Sequence, residues 1–163
     1  MEWHLRLAVP ADRDFLFEVH RQALGPYIEQ TWGWDDGEQR AHFEATFDGG
    51  TWQVILVSGQ PVGMIRTTET ATRVYLDDIE ILPDFQHQGL GSAIVSWVIR
   101  EASAAGKPTA LQVLRVNPAR RLYERLGFDV IGEDDVHVRM LRRPDPNSVR
   151  SSAKSHPEVE QMK

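Results

Sequence analysis

The run Ile79-Glu80-Ile81-Leu82-Pro83-Asp84-Phe85-Gln86-His87-Gln88-Gly89-Leu90-Gly91-Ser92 leaves a chain few choices: an apolar strand, a proline-led turn and a helix start punctuated by glycine. The residue before a proline favours extended geometry, so the strand ends near Leu82 and the turn occupies Pro83 to Gln88. Apolar residues then recur at Leu90, Ile94, Trp97, Val98, Ala102 and Ala105, the spacing of one helix face, so a long helix begins at about Gly89. The first N–H groups of a helix lack intrahelical partners and carry the positive end of its dipole, which suits a phosphate. Gly89 and Gly91 would let a bulky anion approach the main chain. Ile94 stands where a dinucleotide fingerprint needs a small residue, and no Gly-Lys-Ser/Thr follows, so both common nucleotide motifs are disfavoured. On the glycines alone, a close-packed turn without a ligand is an equal alternative.

Composition narrows the classes of function. A chain of 163 residues is most economically one domain with a substantial core. It has no cysteine, which excludes disulfides, thiolate metal ligands and a cysteine nucleophile, and fits a reducing cytoplasm. No apolar run approaches the roughly 18 to 20 residues of a membrane span, and Met1-Glu2-Trp3-His4 does not begin an export signal. The expectation is a cytoplasmic protein without membrane attachment. A net charge of −6 speaks against nucleic acid as a partner and for a cationic one. The acidic excess lies in residues 1 to 143. The Pro- and Ser-containing segment Pro144 to Lys163 reads as a flexible polar tail. The histidines at 4, 20, 42, 87, 137 and 156 are scattered, and no spacing suggests a metal site.

The remaining elements follow from alternation and punctuation. Trp3 to Val9 alternates as a strand closed by Pro10, and Asp12 can cap a helix with Phe15, Leu16, Val19 and Ala23 inward, ending before Gly25-Pro26. A less regular segment, 27 to 37, precedes a helix over Glu38 to Phe47. Trp52 to Val57 and Val62 to Thr67 flank Ser58-Gly59-Gln60-Pro61 as an antiparallel hairpin, and a strand over Val74 to Leu82 follows. After the central helix, stopped at Gly106, come a strand over Ala110 to Leu114 and a short helix over Pro118 to Leu126 behind the cap Asn117. Two strands, Asp129 to Gly132 and Val136 to Leu141, turn at Glu133-Asp134-Asp135. The order β-α-α-β-β-β-α-β-α-β-β predicts an α/β (α+β) domain with a mixed, mostly antiparallel sheet flanked by helices.

The order Gln86-x-x-Gly89-x-Gly91 after a strand ending in Pro83 resembles the acyl-CoA pyrophosphate motif of the GNAT N-acetyltransferases. A second block, Leu111 to Phe128 with Asn117, Ala119 and Leu122-Tyr123-Glu124-Arg125-Leu126-Gly127-Phe128, resembles that family's following strand and helix. The resemblance covers roughly residues 3 to 142 and makes residues 1 to 143 the acyltransferase domain. It implies that acetyl-CoA lies along Ile79 to Leu82, where a splayed sheet frees main-chain groups for the pantetheine, with Ile81 N–H on the thioester carbonyl. It further implies that Gln86, His87, Gln88, Gly89, Leu90, Gly91 and Ser92 hold the pyrophosphate, with Asn117 and Arg120 contributing. Tyr123 would be both a cofactor contact and the general acid that returns a proton to the thiolate. Many relatives carry Arg or Lys in this turn, where this chain has His87 and Gln88, and Asn117 stands two residues before Ala119 instead of three.

An amine must lose its proton before it attacks, and a carboxylate is the obvious acceptor. In a regular strand Asp78 and Glu80 share a face, so one of two close like charges would hold its proton more readily. Glu80, beside Ile81, is the candidate base and Asp78 an acceptor-binding residue. Both carboxylates could instead only bind the acceptor or cap the sheet. Glu29, Trp32 and Trp34 fall where the family builds its acceptor wall, and they read either as an aromatic, anionic cradle for a cation or as a loop pinned to the core. The expected activity is direct transfer of acetyl from acetyl-CoA to a primary amine, cationic and borne by a small molecule or peptide, in a monomer or homodimer. A catalytically silent acyl-CoA-binding sensor or interaction module is the alternative.

Overall fold

A computed structural model describes residues 2–146; the tail expected beyond Pro144 lies outside them from position 147 onward. The elements are strands β1 (Trp3–Leu7), β2 (Gln53–Val57), β3 (Gln60–Glu69), β4 (Val74–Ile81), β5 (Thr109–Leu114), β6 (Asp129–Glu133) and β7 (His137–Arg142), with helices α1 (Arg13–Trp32), α2 (Asp36–Gly49), α3 (Leu90–Ala104) and α4 (Ala119–Arg125). Strand order is β1-β2-β3-β4-β5-β7-β6. The mixed, mostly antiparallel sheet with four helices and the order of its elements are those the sequence predicts.

The described chain divides into two compact units: residues 2–66 with 78–90, and residues 67–77 with 91–146. In the first, β1 and β2 pair antiparallel, and β2 and β3 form the hairpin. Ser58 and Gly59 both have positive φ, 51° and 79°, as a two-residue turn matched to strand twist requires. Its core joins Leu16, Phe17 and Val19 of α1 and Phe43 of α2 to Trp52, Val54 and Met64. Phe17 meets Phe43 edge-on at 5.7 Å, and such a ring pair adds about 0.5–1.5 kcal/mol beyond area burial. In the second unit, β4 and β5 pair in parallel from Val74↔Thr109 to Leu76↔Leu111, and β7 lies antiparallel to both β5 and β6. Ile94, Val95, Val98, Leu111, Val138 and Met140 are among its buried apolar residues.

Two local expectations are corrected. Helix α1 does not stop before Gly25-Pro26; it runs on to Trp32 with Pro26 inside. A proline in a helix interior forfeits a hydrogen bond and costs about 3 kcal/mol, but the buried stripe continues through Ala23, Gly25 and Ile28, and that burial carries the helix across. The expected irregular stretch therefore shrinks to three residues before α2, which Asp35 caps by accepting from Glu38 N–H at 2.9 Å. Asp12 stands at the N-cap position of α1, as predicted, but its side chain makes no capping bond there and instead ties the chain back to β1. Its carboxylate accepts from both terminal nitrogens of Arg6, at 2.8 and 2.9 Å, and from Val9 N–H at 2.8 Å.

Candidate active site

Glu80 comes from the end of β4, and its side chain is only 1% exposed. A buried carboxylate needs a partner, and here it is His20 of α1, whose Nδ1 lies 2.6 Å from Glu80 Oε1. The other ring nitrogen, Nε2, lies 3.0 Å from Gln39 Oε1 on α2. Phe17, Trp34 and Phe43 surround the imidazole, their centroids 6.2, 5.8 and 6.1 Å from it. Burial alone would push the His20 pKa down; the Glu80 hydrogen bond and charge, with smaller help from Gln39 and Asp78, outweigh it and hold the pKa above its ordinary value.

Asp78, one pleat away, accepts from Arg66 Nη2 at 3.0 Å, and that guanidinium lies 5.2 Å from the centre of the Trp52 ring. Asp78 and Glu80 thus each have a partner of their own. Gly63 of β3 is what lets the chain come so near Glu80: a Cβ there would run into the Glu80 carbonyl oxygen and stand 3.1 Å from Ile81 Cα. Main-chain pairing continues at Leu82, whose N–H donates to Val62 O at 2.9 Å.

The proline- and glycine-marked turn grows directly out of this strand. Pro83–Phe85 forms one 3₁₀ turn, after which Gln86 Nε2 donates back to Ile81 O at 2.8 Å and Gln88 Nε2 to Asp84 O at 2.8 Å. Gln86 and Gln88 therefore shape the loop through their side chains. His87 and Gly89 adopt left-handed φ values, 60° and 84°, and both are exposed. A Cβ at Gly89 would meet nothing within 4 Å, so φ, not crowding by the protein, is what asks for glycine there. Leu90, buried, opens α3, and Gly91 and Ser92 follow half-buried in its first turn. An exposed turn of small and polar residues entering a 15-residue helix fits a pyrophosphate.

The expected acceptor wall divides. Trp34 is packed with Phe17 and His20, while Trp32 at the end of α1 is 60% exposed. Glu29 Oε2 accepts from Trp34 N–H at 2.6 Å, so this acid closes the α1–α2 connection.

In the second unit, Asn117 Oδ1 accepts from Ala119 N–H at 2.9 Å and starts α4. Arg120 reaches Glu124 one turn on, at 3.6 Å. Tyr123 is 7% exposed, with its ring edge-on to Phe128 at 5.7 Å. Gly127, at φ 92°, closes the helix where Arg142 donates to Leu126 O at 3.0 Å.

Sequence reasoning missed His20 and Gln39. The one available signal was His20's place on the inward stripe of α1 between Leu16 and Ala23, where a titratable residue needs a partner. Among the described residues no cluster of His, Asp or Glu could hold a metal ion, and no helix is long and apolar enough to cross a membrane.

Residues 15–128 match the model of the acetyltransferase (GNAT) family. A [ribosomal protein bS18]-alanine N-acetyltransferase of Haemophilus influenzae is 27% identical over 144 residues, which span 87% of this chain and 88% of the relative. Among solved structures, the PaiA N-acetyltransferase of Thermoplasma acidophilum in complex with coenzyme A is similar with a TM-score of 0.69 at 16% identity, covering 88% of this chain and 99% of that one. The ribosomal-protein-S18-alanine N-acetyltransferase of Escherichia coli gives 0.63 at 19% identity, over 90% of this chain and 98% of that one.

Proposed function

Because the chain belongs to the GNAT family and is an acetyl-CoA-dependent N-acetyltransferase, we propose that it moves the acetyl group directly to a cationic primary amine, with the Glu80–His20 couple receiving the amine's proton. The observation that carries this reading is the 2.6 Å contact between the buried Glu80 carboxylate and His20, one residue from Ile81. Acetyl-CoA supplies an activated acyl group on a thiol leaving group. Ile81 N–H orients its carbonyl, and the main chain of His87 to Ser92, shaped by Gln86 and Gln88, binds its phosphates. Ile79, Leu82, Asn117 and Arg120 complete the cofactor contacts in this reading. The Tyr123 hydroxyl returns a proton to the departing sulfur.

For the acceptor, Asp78 and the exposed Trp32 favour a cation, with Glu29 and Trp34 holding the wall behind it. The bS18-alanine relatives make a peptide N-terminus the first acceptor to test, with small polyamines beside it. A cytoplasmic setting belongs to this proposal, since acetyl-CoA is supplied there.

The test is a panel of amines incubated with acetyl-CoA, read by thiol release; the cysteine-free chain adds no background. We expect peptide N-termini and multiply charged amines to react and anionic amines to fail. Binding of CoA with no turnover on any amine would replace this reading by the acyl-CoA sensor.

A further inference from the structure

We infer that His20, and not Glu80, is the group that meets the acceptor's proton, with Glu80 as the positioning carboxylate behind it. The inference rests on the reading above, in which the couple receives that proton, and decides which end of the couple does the work.

Three observations carry it. The Glu80 side chain, 1% exposed, offers no surface to an incoming amine, whereas His20 is 15% exposed. The carboxylate faces Nδ1 at 2.6 Å, which keeps a proton on Nδ1 and leaves Nε2 as the nitrogen that can gain or lose one. Nε2 points to Gln39, a half-exposed residue of α2, so the line from buried acid to solvent runs Glu80, His20, Gln39.

The step balances as follows. The N–H bond of the acceptor ammonium breaks and an N–H bond forms at His20 Nε2, the Gln39 Oε1 standing aside during the transfer and accepting from Nε2–H once it is protonated. The charge passes from acceptor to imidazole, leaving a neutral amine. The second proton, shed as the amide forms, balances the one taken up by the leaving sulfur, and His20 returns its own to solvent. The groups facing the imidazole are Glu80 and Asp78 from β4 and Gln39 from α2, with uncharged rings from Phe17, Trp34 and Phe43. The two acids make the imidazole a stronger base than free histidine, better matched to an ammonium group.

The experiment pairs a direct titration with a pH–rate profile. Histidine resonances of the whole protein are followed by NMR against pH, with His20 identified by its loss in His20→Gln, and kcat/KM is measured over the same range on the best amine of the panel. We expect kcat/KM to rise with pH through an inflection that coincides with the His20 titration, above the reference of about 6.5. His20→Gln should lose that inflection and about 10²-fold or more in rate, with CoA affinity unchanged. Glu80→Gln should move both the inflection and the resonance to lower pH together. If His20→Gln does not fold, Gln39→Leu serves instead, and resonance and inflection must again shift down together. A kinetic inflection that parts from the His20 titration overturns the inference. So does a His20→Gln enzyme that keeps its inflection while Glu80→Gln loses it, which would leave Glu80 as the base and the proposed function standing. Full rate in both variants would remove the couple from the reaction altogether.

Discussion

Removing the hydroxyl of Tyr123 leaves its ring against Phe128, so Tyr123→Phe separates chemistry from packing. Turnover should fall by roughly 10²- to 10⁴-fold with CoA affinity little changed, and an acyl donor with a better leaving group should partly rescue it. Full turnover, or an unfolded variant, would leave Tyr123 as a packing residue without the acid role. A second residue tests stability alone. The Arg6 hydrogen bonds hold the Asp12 carboxyl below its ordinary pKa against the opposing effect of burial, with Val9 N–H and the Arg6 charge assisting. A lowered folded pKa means a contribution present above the unfolded pKa and lost as pH falls through the folded one. Asp12→Asn should therefore cost about 1 kcal/mol in urea denaturation near neutrality, and the difference from the parent should vanish in acid. Both residues stood out in the sequence, Tyr123 within a recognisable block and Asp12 after a strand-closing proline. His20 did not, because its meaning lies in Glu80, 60 positions away, and no local pattern reports a partner that distant.

At the scale of elements, β3 and β4 approach each other through a glycine. Gly63→Ala would press on the Glu80 carbonyl and Ile81 Cα. Neither is the loose end of a side chain, so the strand itself must move. We expect a loss of roughly 1–3 kcal/mol in thermal or urea unfolding, together with a fall in kcat that outlasts any recovered stability at low temperature. A parent-like rate in a folded Gly63→Ala protein would show that the placing of Glu80 tolerates displacement. Helix α1 teaches why elements escape sequence reading. Gly25-Pro26 is a local stop signal, and it fails because Ala23, Gly25 and Ile28 are already committed to a buried face. The strands were easier, since alternation and the Ser58-Gly59 turn speak for themselves over a few residues.

Across the whole molecule, the net charge of −6 acts on the acceptor before any contact forms. Turnover of a doubly charged amine should show a KM that rises with added salt, while kcat stays nearly level. A neutral amine used equally well, with no salt dependence, would show that charge does not choose the substrate. The architecture was legible because its two motif blocks and the order of strands and helices are written along the chain. The hydrogen-bonded centre was not, because α1, α2 and β4 meet only after folding. That meeting has an optical consequence. The Trp34 indole lies 5.8 Å from the His20 ring, near enough for an imidazolium to quench its emission and for a neutral imidazole to spare it. The five tryptophans give the chain a bright background, and subtracting a Trp34→Phe spectrum isolates the one that watches His20. Its brightness should climb with pH as the proton leaves, so that the charge state of the centre can be read by eye of a fluorimeter during the reaction itself.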